Sequence, residues 1–464
     1  MNSIDKFEID LKKNNDIFIQ TKLQPFLAIP SNTLNRQGIV RTKDYILSYI
    51  SEFCEEIKEY QDIINPLILA KVKGNTEHTL LIYMMYDTQP IHNEKEWISN
   101  PFKAETHILP PPLDVLGDCI IARGAYNSKT PLLCFLDIVK ELKAKNQLPI
   151  SLMLIFDGEE EIGSPSFLKF IQDKKEFLKD CKNVFYPSTK QNLDGILVLK
   201  LGYKGILSLR ITVSSKNKEP HSAFSAMIPN PTIDLISLLN TIYFNNEFQI
   251  DTLRKPYKIT DQEKFLFDKL VSTSNFEKVK EKAGILRTRD NDTSLDFFNY
   301  LFNPTFNIST LKSGFLDDGF KNYVPNEAYC NVDIRFAHKV NVDEIFKEIN
   351  QKVEIFSKTS GCKVELTSNI GYESSRVKMD SHLVKSLIES ANILSVKTEI
   401  WPFSAAAAPL SRIQETLGIN FVTGGLGVGG YAHSANEFIQ YNSIINTRLC
   451  FYHFLKIYAG LVNK

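Results

Sequence analysis

Apolar positions along this chain change their spacing repeatedly, and each change predicts an element. Over residues 42–60 they recur at helical intervals. PLILAKVKG and HTLLIYMMYD then read as strands, KTPLLCFLDIVKELKAKN returns to helical spacing, ISLMLIFDGEE begins as a buried strand, and SPSFLKFIQDKK is helical again. Alternation of this kind predicts an α/β fold whose mostly parallel sheet is covered by helices. From about Gly205 the texture changes. KGILSLRITVSS and AYCNVDIRFA alternate apolar and polar residues, as strands with one solvated face do, while PNPTIDLISLLNTIY, opened by proline, and VDEIFKEINQKVEIFSK read as helices. After about Met379 the style of the first part resumes, with HLVKSLIESANIL and the Gly-rich TGGLGVGGYAHSANE. The expected organisation is a first domain in two pieces, 1–205 and 379–464, interrupted by a smaller α+β domain over 206–378. Residues 253–302 are charged and show no clear period, so no element is predicted there.

Composition narrows the partners. The 464 residues carry 54 basic and 54 acidic side chains, so the electrostatic footprint of a nucleic-acid binder is absent and small molecules or peptides are the expected ligands. The first residues, MNSIDKFEIDLKKNND, lack the apolar segment of a secretory signal, and no apolar run reaches the ~18 residues of a membrane span. Seven cysteines are scattered without a CxxC pair, which argues against a disulfide framework. No membrane association is expected, and a reducing cytoplasm fits best.

Polar groups collect at the carboxyl ends of two predicted strands, Tyr86-Asp87-Thr88 after LLIYMM and Asp157 to Glu161 after SLMLIF. In open α/β sheets ligands bind at that edge. A run of acids is ordinarily a solvated turn. In DGEEEIGSP, however, it follows a buried strand and precedes a helix. Adjacent glutamates on an irregular turn point in different directions, so one can bind a metal while its neighbour handles a water proton. His433 in YAHSANE and His221 in EPHSAF, each taken alone, are ordinary hydrogen-bonded histidines.

Together, LLIYMMYDTQP, WISNPF, ARGAYNSKTPL, DGEEEIGS, LGYKG, PHSAF...IPNP, YVPNEAYCNVDIRF and YAHSANE resemble, in order and spacing, the two-zinc amidohydrolase and exopeptidase family of acetylornithine deacetylase, succinyl-diaminopimelate desuccinylase and the carnosinase-like dipeptidases. The resemblance spans nearly the whole chain. It implies a catalytic α/β domain interrupted by a lid domain through which a homodimer forms. It implies Glu160 as general base, Glu161 and His433 as ligands of one metal, and Asp87 as the acid that orients a metal-binding histidine. That histidine is replaced here by Met85. Asn127 stands where an aspartate bridges the two metals, and a neutral amide is the poorer ligand. Ser188, fourteen residues ahead of Gly202, stands where a second aspartate binds the first metal, and Asp180 and Asp194 are off that register. Arg335 matches a lid arginine that binds a substrate carboxylate, and His221 a lid histidine that polarises the scissile carbonyl. Ala406-Ala407 replaces a Gly-Ser pair that holds the substrate.

Both private ligands of one metal are thus absent and both of the other remain. A catalytic zinc takes three protein ligands, and Glu161, His433 and the Asn127 oxygen supply two good ones and a weak one. A thioether suits zinc poorly, so Met85 is expected to fill an apolar gap. The leading expectation is a hydrolase cleaving the amide bond of a dipeptide or N-acyl amino acid with one zinc, manganese or cobalt ion at most, or none. Two alternatives stay open: a non-catalytic relative that binds a peptide-like ligand or serves as an interaction protein, and a metal-free acyl-transfer enzyme on the same fold.

Overall fold

The computed structural model describes residues 6–60, 64–273 and 276–463. The chain divides into two compact units. The first comprises residues up to Leu201 together with Val377–Trp401 and Ile413 onward, and the second comprises Gly202–Arg376 and Pro402–Arg412.

A six-stranded sheet organises the first unit, in the order Glu56–Tyr60, Leu67–Val72, Ser151–Asp157, Thr79–Met85, Cys181–Pro187 and Asn420–Gly424. Its centre is parallel: Thr79–Met85 runs alongside Ser151–Asp157 and Cys181–Pro187, and Cys181–Pro187 alongside Asn420–Gly424. Leu67–Val72 pairs antiparallel with both Glu56–Tyr60 and Ser151–Asp157, so it alone runs against the other strands. Leu80 to Met85 are all buried, because a central parallel strand has both faces covered. The helix Ile444–Val462 packs against both Lys129–Ala144 and His382–Ile393. Register sets Met85 opposite Asp157, so the ends of these two strands open together at one edge of the sheet.

The helix expected over 42–60 is displaced. It runs over Arg36–Ile50, opened by Asn35, whose side-chain oxygen accepts from the Gly38 N–H. Glu56–Tyr60 is instead the edge strand. The helical spacing is genuine through Ile46, Tyr49 and Ile50, which are buried, whereas EIKEY alternates charged residues suited to an exposed sheet edge.

The second unit carries a four-stranded antiparallel sheet in the order Thr305–Ser313, Glu327–Phe336, Gly205–Ser214 and Lys363–Tyr372. Side chains along Glu327–Phe336 alternate between buried and half-buried positions. The helices Pro231–Ile242 and Val342–Ser357 pack on this sheet, and their buried leucines, isoleucines and valines form one core with it. Pro402–Arg412 groups here rather than with the first unit because Ser404 pairs its backbone with Gly202 and Lys204. The stretch without a predicted element contains the helices Asp251–Arg254, Asp261–Thr273, Phe276–Lys282 and Thr293–Phe302. They are held by rings, with Phe267 against Phe297, Phe298 and Phe302, and Phe276 stacked on Phe297.

Candidate functional site

At the carboxyl edge of the first unit's sheet, Asp87 follows the Thr79–Met85 strand and is fully buried. Its Oδ1 accepts from the Glu160 N–H at 3.2 Å, and its Oδ2 from the Glu161 N–H at 3.1 Å and the Thr33 hydroxyl at 2.8 Å. With Met85 in the histidine's place, this carboxylate anchors the glutamate turn itself. Burial, and then the Asp157 and Glu160 charges, push the Asp87 carboxyl well above the usual carboxylate range.

The three glutamates of DGEEEIGSP have different employments. Glu159 is fully buried and structural, accepting from the Ile64 and Asn65 N–H groups and from the Ser166 N–H and hydroxyl at the start of the following helix. Glu161 Oε2 accepts from Gln89 Nε2 at 2.9 Å. Its Oε1 lies 3.1 Å from Asn127 Nδ2 and 3.2 Å from His433 Nε2. Glu160 differs from both, since among the described residues nothing donates a hydrogen bond to its carboxylate. Burial, together with the neighbouring Glu161 and Asp157 charges, pushes it up to about 8.

His433 sits in the left-handed backbone region at φ 65°, a conformation costly for a residue with a side chain, and its ring is half exposed. Its hydrogen bond to Glu161 raises its pKa against the opposing effect of burial. Asn127 Nδ2 lies 3.1 Å from His433 Nε2 and closes a triangle with Glu161 Oε1. The nitrogen and oxygen of an amide exchange places by a half-turn, so Oδ1 can take this corner. Sides of 3.1–3.2 Å approach the roughly 3.3 Å separation between ligand atoms in a tetrahedral site with bonds of about 2.0 Å. The triangle therefore fits one divalent cation.

The residues do not fit a second one. Met85 is a buried thioether, and the buried Ser188 hydroxyl pairs with the Thr423 hydroxyl of the adjacent strand at 2.7 Å. Among the described residues, no three His, Cys, Asp or Glu side chains are grouped so as to hold a metal.

Asp87, Asn127, Glu160, Glu161 and His433 thus come together in the first unit. His221 and Arg335 belong to the second. The His221 Nδ1 accepts from the Ala223 N–H, capping a short turn, and its ring is exposed. Arg335 lies 3.7 Å from Asp333 through its Nε. Of Ala406 and Ala407, also in the second unit, Ala406 accepts from the Lys204 N–H and donates its own N–H to the Ser404 hydroxyl.

Sequence reasoning missed three contributors. Gln89 lies inside the segment LLIYMMYDTQP, four residues beyond Met85, and Glu437 four residues beyond His433. Glu437 accepts from the Gly124, Tyr126 and Asn127 N–H groups and from Arg123, so it shapes the loop that presents Asn127. Lys190, two residues past Ser188, interacts electrostatically with Glu160. No motif marked it.

The model of Peptidase family M20/M25/M40 matches residues 81–457. The chain belongs to this family. Among curated relatives of this M20 chain, the Cys-Gly metallodipeptidase dug1 of Schizosaccharomyces pombe is 25% identical over 75% of the chain and 78% of that protein. The Beta-Ala-His dipeptidase of Mus musculus is 22% identical over 75% of the chain and 73% of that protein. Among solved structures, the M20 metallo-carboxypeptidase Sso-CP2 from Sulfolobus solfataricus superposes with a TM-score of 0.84 at 26% identity, covering 95% of this chain and 99% of that one. Human carnosine dipeptidase 1 does so at 0.74 and 19%, covering 99% of this chain and 100% of that one, a likeness of fold. The mixed α/β architecture with an inserted unit is that of M20 peptidases, and divalent metal use is implied by the family. Among the described residues no helix is long and apolar enough to cross a membrane.

Proposed function

We propose that this M20 chain hydrolyses the amide bond of a dipeptide or an N-acyl amino acid, with Glu160 as general base. The observation that carries the reading is the unengaged Glu160 carboxylate, fixed by Asp87 through its own backbone and held beside the Glu161–His433–Asn127 triangle. Glu160 takes a proton from water as the water oxygen adds to the scissile carbonyl carbon. It returns that proton to the amine nitrogen as the C–N bond breaks. Glu161, His433 and the Asn127 oxygen are the residues that would hold one zinc, manganese or cobalt ion, and such an ion polarises a carbonyl and acidifies water. Asp87 acts as a positioning residue.

Arg335 and His221 are assigned to the substrate's carboxylate and scissile carbonyl, an assignment supported by the ordered family motifs. A homodimer through the second unit and a cytoplasmic setting complete the reading. The second is supported by seven cysteines that are all free, six of them buried.

A dipeptide and acyl-amino-acid panel, assayed with added Zn, Mn or Co, tests the proposal. Glu160→Gln should lower kcat by about 10²–10⁴ with little change in KM. No turnover of any panel member by the metal-supplemented wild type would sink it. The replacement of two family ligands by Met85 and Ser188 favours one other reading, a peptide binder without turnover, which expects dipeptide affinity unaltered by Glu160→Gln.

A further inference from the structure

Within the second unit, residues between 243 and 306 surround a cavity of about 860 Å³, inside the range of roughly 300–1,000 Å³ that small-molecule sites occupy. Neither Arg335 nor His221 lines it. One wall is a hairpin, Tyr243–Phe244 paired with Glu247–Phe248, whose two turn residues Asn245 and Asn246 both take the left-handed backbone that so tight a connection requires. The Tyr243 ring stacks on Phe306 with centroids 4.8 Å apart, and Phe248 meets Phe306 edge-on at 5.9 Å. Another wall is the Thr293–Phe302 helix, where the Tyr300 ring lies 5.6 Å from that of Phe276. The buried Lys204 ammonium donates to the Tyr300 and Asn303 carbonyls at 2.8 and 2.7 Å and so fixes the end of that helix. The walls are therefore held by the fold itself, without a ligand.

Charge is distributed unevenly over this lining. Lys280 is engaged by Asp296 at 3.3 Å, and Asp290 accepts from the Asn299 amide at 3.4 Å. Among the described residues, no hydrogen bond or ion pair holds the side chain of Arg254, Lys255 or Arg289, all of which line the cavity and are exposed. Only Glu247 and Asp290 remain to offset those three, which leaves one positive charge in excess. Like charges gathered around one cavity repel, and an anion placed among them relieves the repulsion. The Tyr300 ring, 42% exposed, offers an aromatic surface to the same space.

We propose that this cavity binds a mononucleotide, with its phosphate among Arg254, Lys255 and Arg289 and its base on the Tyr300 ring. Phosphate alone would leave the aromatic wall in water, and a neutral ring alone would leave the three cations unpaired. A nucleotide joins the two groups in one molecule of suitable size. Guanidinium groups match phosphate oxygens with paired hydrogen bonds, which favours phosphate as the anion. The Asn246 amide and the Thr288 hydroxyl, which also line the cavity and are unengaged among the described residues, are available to a sugar hydroxyl or a base edge. The site is separate from Glu160, Glu161 and His433, and the inference does not rest on the hydrolase reading.

Titration calorimetry on the full chain in chelator, so that no metal recruits phosphate elsewhere, tests this with AMP, GMP, CMP and UMP, and with adenosine and inorganic phosphate as the two halves of the ligand. At least one nucleotide should bind at one per chain, about tenfold or more tightly than either half. Arg254→Ala combined with Arg289→Ala should weaken that binding by about tenfold or more, and Tyr300→Ala by about fivefold or more. The exposed-site control Lys182→Ala should bind as wild type does. Both arginine side chains are exposed and unpaired, so the double variant should keep the wild-type Tm; if it does not fold, each single arginine variant should still weaken binding by about threefold or more. No binding of any nucleotide at millimolar concentration, phosphate binding as tightly as the nucleotides, or affinity unchanged in the arginine variants would overturn the proposal. The readout is binding to chelated protein, so it stands or falls apart from dipeptide turnover.

Discussion

Glu437 uses its acceptor capacity on a single loop, and that loop carries Asn127. Its Oε1 accepts from the Tyr126 and Asn127 N–H groups at 3.0 and 2.8 Å, and its Oε2 from the Gly124 N–H at 3.1 Å and Arg123 Nη1 at 2.8 Å. Arg123 is buried, with only 3% of its side chain exposed. Glu437→Ala would leave that guanidinium and three N–H groups without their acceptor, and breaking a buried pair from one side costs about 3–5 kcal/mol. Urea unfolding should show a midpoint lowered to match, with Glu437→Gln losing less because one amide oxygen remains. A loss under 1 kcal/mol for Glu437→Ala would mean that the loop is held by something else. The same residue marks the limit of what sequence reading reached at the site. Glu160, Glu161 and His433 were legible as candidates because the ordered series of motifs marks them together, although no single motif does. The dependence of Asn127 on Glu437 joins positions 310 residues apart, and no local spacing carries such a link.

At the scale of elements, Asp137 in the Lys129–Ala144 helix gathers the N-terminal segment onto the first unit. It accepts from Lys22 at 2.7 Å, from the Tyr49 hydroxyl at 2.8 Å and from Arg448 at 2.6 Å. These partners lie in the Ile19–Leu23, Arg36–Ile50 and Ile444–Val462 helices. Burial alone would raise the Asp137 pKa, but Arg448, Lys22 and the hydrogen bonds outweigh it and the net shift is downward. A carboxyl with a lowered folded-state pKa contributes stability that is present above its unfolded value near 4 and lost as pH falls through the folded value. Asp137→Asn should therefore have a Tm well below wild type at pH 7, by the equivalent of about 3–5 kcal/mol. The gap should close as both are acidified below about pH 4. A gap that stays constant across the acid range would show that the ionised form of Asp137 has no special role. The continuous apolar run Thr79–Met85 and the helical period of Val342–Ser357 were legible in the pattern alone. Residues 253–302 were not, because their short helices turn few apolar positions inward and cohere through ring contacts among Phe267, Phe276, Phe297 and Phe302. The helix read across 42–60 erred for the opposite reason: its spacing stayed plausible past Ile50, while the charged EIKEY was claimed by pairing with Leu67–Val72.

At the scale of the whole molecule, the second unit carries a surface suited to the proposed homodimer. Within the second unit, Thr305–Ser313 is an edge strand, with Ile308 and Leu311 exposed at 42% and 58%. The neighbouring Pro231–Ile242 helix exposes Ile233 and Ile236, and a hydrogen bond between the Thr232 and Ser313 hydroxyls ties the two elements together. An edge with unpaired backbone groups beside exposed isoleucines is a liability for a monomer, and nature ordinarily blunts such edges with charge or covers them. The contrast with the first unit is direct, since its own edge strand, Glu56–Tyr60, is charged. Covering this edge and helix with a second copy removes both problems at once, because an isologous contact pairs the same patch on each partner. Light scattering on the purified chain at micromolar concentration should give a mass near twice 52.9 kDa. Leu311→Lys combined with Ile236→Lys should bring it to the monomer value while leaving the far-ultraviolet spectrum unchanged, since both side chains are exposed within their own unit. A wild type that is monomeric throughout would remove the dimer from the reading, and a double variant that remains dimeric would move the interface elsewhere.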